Sequence, residues 1–475
     1  MKTVIIGGGL AGLACAVELV DRGTEVTILE CAPILGGKAA SWRDEDGDIV
    51  DLGQHVVTPL YKHLLGLLKK VEAYNNLIWR DGHYYLAMRG GLVDSIRIAK
   101  LPPPLHFLVG LFRYKHLGLL DRLSALPAFT EILLSTERHR RKFDHRTFRD
   151  WIRSRGATEA LVEHMLDPMI EGLMFLSCHH VATTNVMFDL HYMLLNKDAA
   201  RFGFFDGGLQ ENLITPIVNY VMARGGEIHT GKPVTRIRLA EDRVAGLEFA
   251  TGEIVTADTY VSAVPVHALC GILPEHAWNH PYFADLWYLE PVPVIGVQLW
   301  FDRKVTDISD LILTPKCIFN AYVDASNILT EYRARRGSII HFVLAPAKHL
   351  IPLPDARIVQ LVYADFKEVF PAAEKAHVIK SRVVKTPRAF YRQYPGVEQY
   401  RPSQWTPIKN FFLAGEFTRT KYPPCMEGAV KSGQLAAECL LEARNPKALA
   451  PIYQQAACQH TQREATAAVR SASKG

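Results

Sequence analysis

The chain has 475 residues, 48% of them hydrophobic and 22% charged, with a formal net charge of +5. That length exceeds what one simple core covers, so two domains are expected, and the balance of apolar and charged residues excludes wholesale disorder. The charge is slight, and no basic stripe interleaved with aromatic residues points to nucleic acid.

In chain order, residues 3–6 read as a short apolar strand and Gly7–Gly12 as a turn. Leu10 to Val20 has helical periodicity, with Gly23 placed to end it. Residues 25–30 form a second strand, so the opening is β-turn-α-β. From about residue 60 to 200 the pattern is mainly helical. Residues 227–230, 234–239 and 243–249 read as short strands. Thr251-Gly252 marks a hairpin, and 255–264 continues that sheet. Longer strands at 291–302 and 339–346 belong to a second sheet. A last helix runs from about Gly428 to Ala443, and a peripheral tail follows from 446 to 475.

The eight cysteines form no C-x-x-C pair, which fits a reducing compartment. Cys178-His179-His180 has no second ligand pair nearby, so no metal site is expected. Val4-Ile5-Ile6 already belongs to a strand, so no signal peptide is expected ahead of it. No run of about 18 uncharged apolar residues is present, so no spanning helix is expected either. The segment 101–112, rich in proline and leucine and followed by Arg113, Lys115 and His116, has two readings. It dips into one leaflet of a membrane with its basic residues at the headgroups, or it is a buried helix entered through a proline turn.

The first motif with chemistry is Gly7-Gly8-Gly9-Leu10-Ala11-Gly12. Gly7 permits the turn, Gly9 lets the backbone approach a pyrophosphate, and Gly12 allows close helix–strand packing. The helix N-terminus offers N–H groups to the phosphates. Glu30 ends the second strand, about 20 residues on, where a carboxylate accepts hydrogen bonds from ribose hydroxyls. Gly36-Gly37-Lys38 adds a second glycine turn and a cation. Near the C-terminus, Asn410-Phe-Phe-Leu-Ala-Gly-Glu416 leads to Met426-Glu427-Gly428-Ala429, a second helix start that suits a long extended cofactor. The plainer reading of Glu416 and Glu427 is a loop carboxylate and a helix-cap charge.

With these residues in view, the sequence resembles the FAD-dependent phytoene desaturases of plant and cyanobacterial type, with their zeta-carotene desaturase relatives. The blocks that carry the resemblance include the glycine motif, Gly36-Gly37-Lys38, Ser41-Trp42-Arg43-Asp44-Glu45-Asp46-Gly47-Asp48 and Phe205-Asp206-Gly207. Further on they are Trp300-Phe301-Asp302-Arg303-Lys304, Val384-Lys385-Thr386-Pro387-Arg388, Leu413-Ala414-Gly415-Glu416 and Met426-Glu427-Gly428-Ala429. The resemblance implies FAD contacts at Ala11, at Glu30 and Cys31 by the ribose, and at Lys38. It places His55 and Tyr61 along the flavin side, Glu416 and Met426 at the C-terminal closure, and Val234 against the adenine. Gly7, Gly9, Leu10, Gly12, Gly37, Val56 and Gly415 belong to the same loops. This chain departs from the family at Asn212, where an arginine associated with the substrate channel is usual, and at Val56-Val57-Thr58-Pro59. The segment Leu101–Leu111 is also similar to hydroxysqualene dehydroxylases.

The resemblance implies an FAD-dependent desaturase of a long polyene or triterpenoid hydrocarbon, reoxidised by a membrane quinone. Peripheral association with the cytoplasmic or equivalent organellar membrane surface goes with it. Desaturation passes a hydride to the flavin, so the cofactor carries the hard step. His55 and Glu427 are the residues that would assist the accompanying proton, unless each is only a structural hydrogen-bond partner. The nearest competing reading is a hydroxysqualene dehydroxylase or related polyprene redox enzyme; an amine or porphyrinogen oxidase, and a flavin-bound carotenoid carrier without catalysis, are the others. The expected architecture is α/β. A Rossmann-like FAD domain is assembled from 1–75, 206–265 and 405–445. An α+β substrate domain, from 76–205 and 266–404, is inserted in it and carries a helical membrane-facing patch.

Overall fold

Five short runs, the inner ones largely buried and Glu227–His229 exposed at its edge, line up side by side in a parallel sheet. Its order is Phe411–Leu413, Thr259–Ser262, Lys2–Ile6, Glu25–Leu29 and Glu227–His229. Strand alternation divides the first strand between two layers. Ile5 packs with the helices Leu10–Val20, Thr215–Met222 and Met426–Glu442, whereas Val4 and Ile6 pack against Ile237, Val244 and Leu247 of a three-stranded antiparallel sheet. The computed structural model describes residues 1–53, 55–80, 83–199 and 201–443. The tail expected from 446 lies outside them.

The expected strand over 255–264 is two strands in two sheets. Ile254–Val255 closes the antiparallel meander, and Thr259–Ser262 crosses to the parallel sheet. Asp258 makes the break. Its carboxylate accepts from the Lys2 amide, and its own N–H donates to the Lys2 carbonyl, which sets Thr259 opposite Thr3.

The second large sheet has seven strands in the order Val378–Tyr391, Pro291–Phe301, Ile339–Leu344, Ala321–Asp324, Ile312–Leu313, His83–Met88 and Leu92–Arg97. One face buries Ile340, Phe342 and Tyr322 under Ile358, Val362 and Phe366 of the helix Asp355–Val369. The other packs Trp300, Val323 and Ile339 against the helices between 105 and 195. The hairpin His83–Met88/Leu92–Arg97 interrupts the stretch expected to be mainly helical. Gly90 and Gly91, both at positive φ, make its turn.

A short pair, Leu77–Arg80 with Phe202–Phe205, bridges the two units, and Gly203 also pairs with Val57. The proline-rich segment leads into a helix with one buried and one exposed face. In the helix Leu105–Arg113, His106, Phe107 and Leu111 are buried, while Leu105 and Phe112 are exposed. The following helices Leu119–Ser124 and Leu126–Leu134 leave Leu119, Leu120 and Leu134 at 62%, 79% and 76% exposure. No helix among the described residues is long and apolar enough to cross a membrane.

Candidate functional site

The glycine loop sits at the carboxyl end of the first strand. Gly7 has φ +106°, and a Cβ on Gly12 would lie 2.0 Å from the Gly7 carbonyl oxygen, so neither position accepts a side chain. No side chain caps the helix that begins at Leu10. Gly36 donates its N–H to the Gly8 carbonyl, and a Cβ on Gly37 would come within 3.2 Å of the Gly9 Cα. Two glycine turns thus face each other over an open helix N-terminus, a cradle that fits an anionic pyrophosphate. Glu30 stands beside it. Its Oε2 accepts from the Gly8 N–H at 2.7 Å, and its Oε1 accepts from the Ala32 N–H at 2.8 Å and from the Cys31 thiol. Oε2 keeps a further lone pair for a ribose hydroxyl. The Gly231 and Lys232 amides bond the carbonyls of Ala32 and Glu30, which brings Val234 to the same end of the sheet.

Lys38, at the second glycine turn, pairs with Glu416 at 2.5 Å, joining segments 378 residues apart. Gly415, at φ +143°, donates to the Ser432 hydroxyl. The buried guanidinium of Arg401 donates to the carbonyls of Glu416, Phe417 and Thr418 and pairs with Glu398. Arg401 therefore shapes the loop that carries Glu416. It was invisible in the sequence, where it is one arginine before a proline.

His55 links this region to a cleft. Its Nε2 lies 3.1 Å from the Lys38 carbonyl, which only accepts, so Nε2 carries the proton and Nδ1 holds a lone pair. Nδ1 is buried without a partner among the described residues. Burial lowers the pKa of this ring. The cleft is walled by Val56, Phe204, Phe205, Leu209, Ile328 and Leu329, with His55, Asp51 and His341 as its titratable groups. Burial, with Glu211 adding to it, pushes the Asp51 carboxyl up to about 7. Burial drops His341 to about 4, and its Nε2 accepts from Gln298 at 2.9 Å. All three shifts favour the neutral forms, so the cleft carries little charge. Sequence reasoning missed Asp51 and His341. The one signal for His341 was a polar residue inside the otherwise apolar run Ile339–Leu344.

Glu427, a candidate either for assisting proton transfer or for a helix-cap charge, makes two hydrogen bonds to backbone amides. Its Oε1 accepts from the His63 N–H at 2.9 Å and its Oε2 from the Leu64 N–H at 2.8 Å, capping the helix Lys62–Lys70. Both oxygens are spent on amides the helix leaves open, and burial raises its pKa. Tyr61 faces Cys425, just ahead of Met426 at the head of the last helix. The Asn212 amide donates to the Asp206 and Gly208 carbonyls of its own loop, while Gly207 and Leu209 from that loop line the cleft.

The family of flavin containing amine oxidoreductases matches residues 10–441. The chain is 33% identical over 459 residues to the 15-cis-phytoene desaturase of Synechococcus elongatus, covering 93% of this chain and 96% of the relative. The chain belongs to the flavin-containing amine oxidoreductases, in their phytoene desaturase branch. This flavin-containing oxidoreductase is also 33% identical to a probable zeta-carotene desaturase of the same organism, covering 94% and 99% of the two chains. With the 15-cis-phytoene desaturase of Glycine max it shares 32% identity, covering 93% and 80%. Among solved structures, an oxidoreductase from Methanosarcina mazei superposes at a TM-score of 0.70 with 21% identity, covering 93% and 100%. A putrescine oxidase variant does so at 0.70 with 15% identity, covering 93% and 98%. These structural matches show the fold. The family supplies the flavin and the βαβ cradle takes a dinucleotide, so the cofactor of this oxidoreductase is FAD.

Proposed function

We propose that this oxidoreductase is a carotene desaturase of the phytoene type, which takes hydrogen from a long polyene held in the cleft beside His55. The observation that carries the reading is the character of that cleft: aromatic and aliphatic walls with three titratable groups all biased to neutrality. A hydrocarbon offers no partner to a buried charge, so a cleft built for one keeps its polar groups neutral. An amine substrate calls for the opposite. The one carboxyl group in the lining, Asp51, keeps its proton up to about pH 7 and so offers an ammonium no permanent anion.

In this reading Gly7, Gly9, Leu10, Ala11 and Gly12 cradle the pyrophosphate, with Gly37 and Lys38 across from them. Glu30 and Cys31 meet the ribose, and Val234 meets the adenine. His55, Val56 and Tyr61 lie along the flavin, and Gly415, Glu416 and Met426 close the site. Bound there, FAD supplies a two-electron acceptor for hydride from an allylic C–H bond. The protein's work is to hold that bond in place and keep water out, which falls to Phe204, Phe205, Ile328 and Leu329. The seven-stranded sheet and the helices packed on it form the substrate domain, inserted in the FAD domain. The polyene arrives from a membrane, and the exposed leucines of the three helices from Leu105 to Leu134 are the docking face. A membrane quinone takes the electrons away.

Purified holoenzyme in liposomes with a quinone, given 15-cis-phytoene or zeta-carotene, is expected to lengthen the conjugated system. The product's absorption then moves to longer wavelength. Return of both polyenes unchanged, with hydroxysqualene consumed instead, would replace this reading by the dehydroxylase one.

A further inference from the structure

The cleft contains one acid that no part of the sequence argument assigned. Asp51 ends the hairpin Ser41–Arg43/Ile49–Asp51, four residues before His55. The hairpin's loop is clamped to the seven-stranded sheet by Lys380, whose ammonium lies 2.7, 2.6 and 2.9 Å from Asp44, Asp46 and Asp48. The Asp51 backbone packs under Gly296, where a Cβ would meet the Leu52 and Asp51 carbonyls. The side chain is thus presented to the cleft from a fixed backbone. Its Oδ1 is buried without a partner among the described residues. An unpaired buried carboxylate oxygen is costly, and among the described residues no ion pair accounts for Asp51.

We propose that Asp51 is the proton acceptor of the desaturation, its carboxylate taking as a proton the hydrogen that does not leave as hydride. The inference rests on the desaturase reading. Desaturation removes two hydrogens and two electrons from adjacent carbons. One C–H bond gives up its hydrogen with both electrons to the flavin. The other breaks toward Asp51: its electron pair becomes the new π bond, and its proton makes the carboxyl group. Loss of that proton restores the carboxylate. The groups facing Asp51 suit the task. Glu211, on the segment Gln210–Ile214, repels its charge and makes the carboxylate a stronger base. His55 and His341, on the other elements lining the cleft, are neutral and supply no competing cation. A base that titrates near the working pH balances occupancy of its ionised form against proton affinity.

The test uses holoenzyme of wild type, Asp51→Asn and Asp51→Glu, reduced anaerobically by a polyene in liposomes. In wild type the rate of flavin reduction should rise with pH through about 7 and then level. Asp51→Asn should bind the polyene as before, reduce its flavin about 100-fold more slowly and lose the step. Asp51→Glu should recover part of the rate and the step. Independently of turnover, infrared difference titration of the flavin-free protein should find, among the carboxyls that ionise near pH 7 in wild type, one that is missing from Asp51→Asn. Reduction of Asp51→Asn at the wild-type rate with an unchanged pH profile overturns the inference, as does absence of that carboxyl. A wild-type flavin that stays oxidised with every polyene, while the infrared carboxyl is present, shows instead that the desaturase reading has failed and taken the inference with it.

Discussion

A carboxyl kept in an apolar cleft weakens the fold wherever it is ionised. The Asp51 pKa is raised in the folded protein from 3.8 to about 7. Between those values the folded chain holds a proton that the unfolded chain has released, so stability falls as pH rises across the window and stays lower above it. Asp51→Asn removes the Asp51 share of this dependence and leaves that of Asp144, Glu171, Asp189 and Asp310, which burial also raises to about 7. Thermal unfolding should show the variant melting above wild type at about pH 8, with the gain gone near pH 4; an equal shift at both pH values would mean the carboxyl is not buried as described. Such a gain in stability at a loss of rate is the usual mark of a functional group. At this scale the sequence disclosed what a local motif encodes. Glu30 could be placed because it follows Gly7–Gly12 at a spacing fixed by one helix and one strand. Asp51 and His341 could not, because their common cleft depends on segments 290 residues apart meeting. Nor could the partners of Glu427 be read, for the same reason: the amides it caps belong to a helix 363 residues earlier.

Elements carry the cofactor site through the pairing of the first and last long helices, Leu10–Val20 and Met426–Glu442. Gly433 is their contact point, where a Cβ would lie 2.2 Å from the Ala11 carbonyl oxygen and 2.8 Å from the Cys15 nitrogen. Gly433→Ala gains about 1 kcal/mol of helix propensity but meets backbone that cannot move aside, so the clash of about 1–3 kcal/mol prevails. The last helix should lift from the first, and gel filtration should show the variant shedding FAD that wild type retains. The helices Leu105–Arg113, Leu119–Ser124 and Leu126–Leu134 carry the proposed membrane contact. Replacing Leu120 and Leu134 together with Gln forfeits roughly 3 kcal/mol of apolar burial in lipid, about a hundredfold in partition. Liposome co-sedimentation should fall by that order, with activity on detergent-dispersed polyene kept. The apolar stretch around Leu105 was legible in the sequence, but its division between buried Phe107 and Leu111 and exposed Leu105 and Phe112 was not. Periodicity gives a helix's faces without saying what covers each of them.

Across the whole molecule, the parallel sheet collects strands from residues 2–6, 25–29, 227–229, 259–262 and 411–413, and that arrangement holds the cofactor cradle together. The Lys38–Glu416 pair and the Arg401 contacts tie the last of these segments to the first. The seven-stranded sheet supplies Val323 and His341 to the far wall of the cleft. The α/β layering was readable from the opening β-turn-α-β unit. The passage from Val255 to Thr259 between two sheets was not, since it turns on the Asp258–Lys2 contact across 256 residues. The central claim is that a flavin faces an apolar cleft and accepts hydrogen from a hydrocarbon. Anaerobic stopped-flow mixing of the holoenzyme with 15-cis-phytoene or zeta-carotene in liposomes, against a primary amine as control, tests it most directly. The polyene should bleach the flavin while the amine leaves it yellow. A flavin bleached by the amine and untouched by both polyenes would contradict the account.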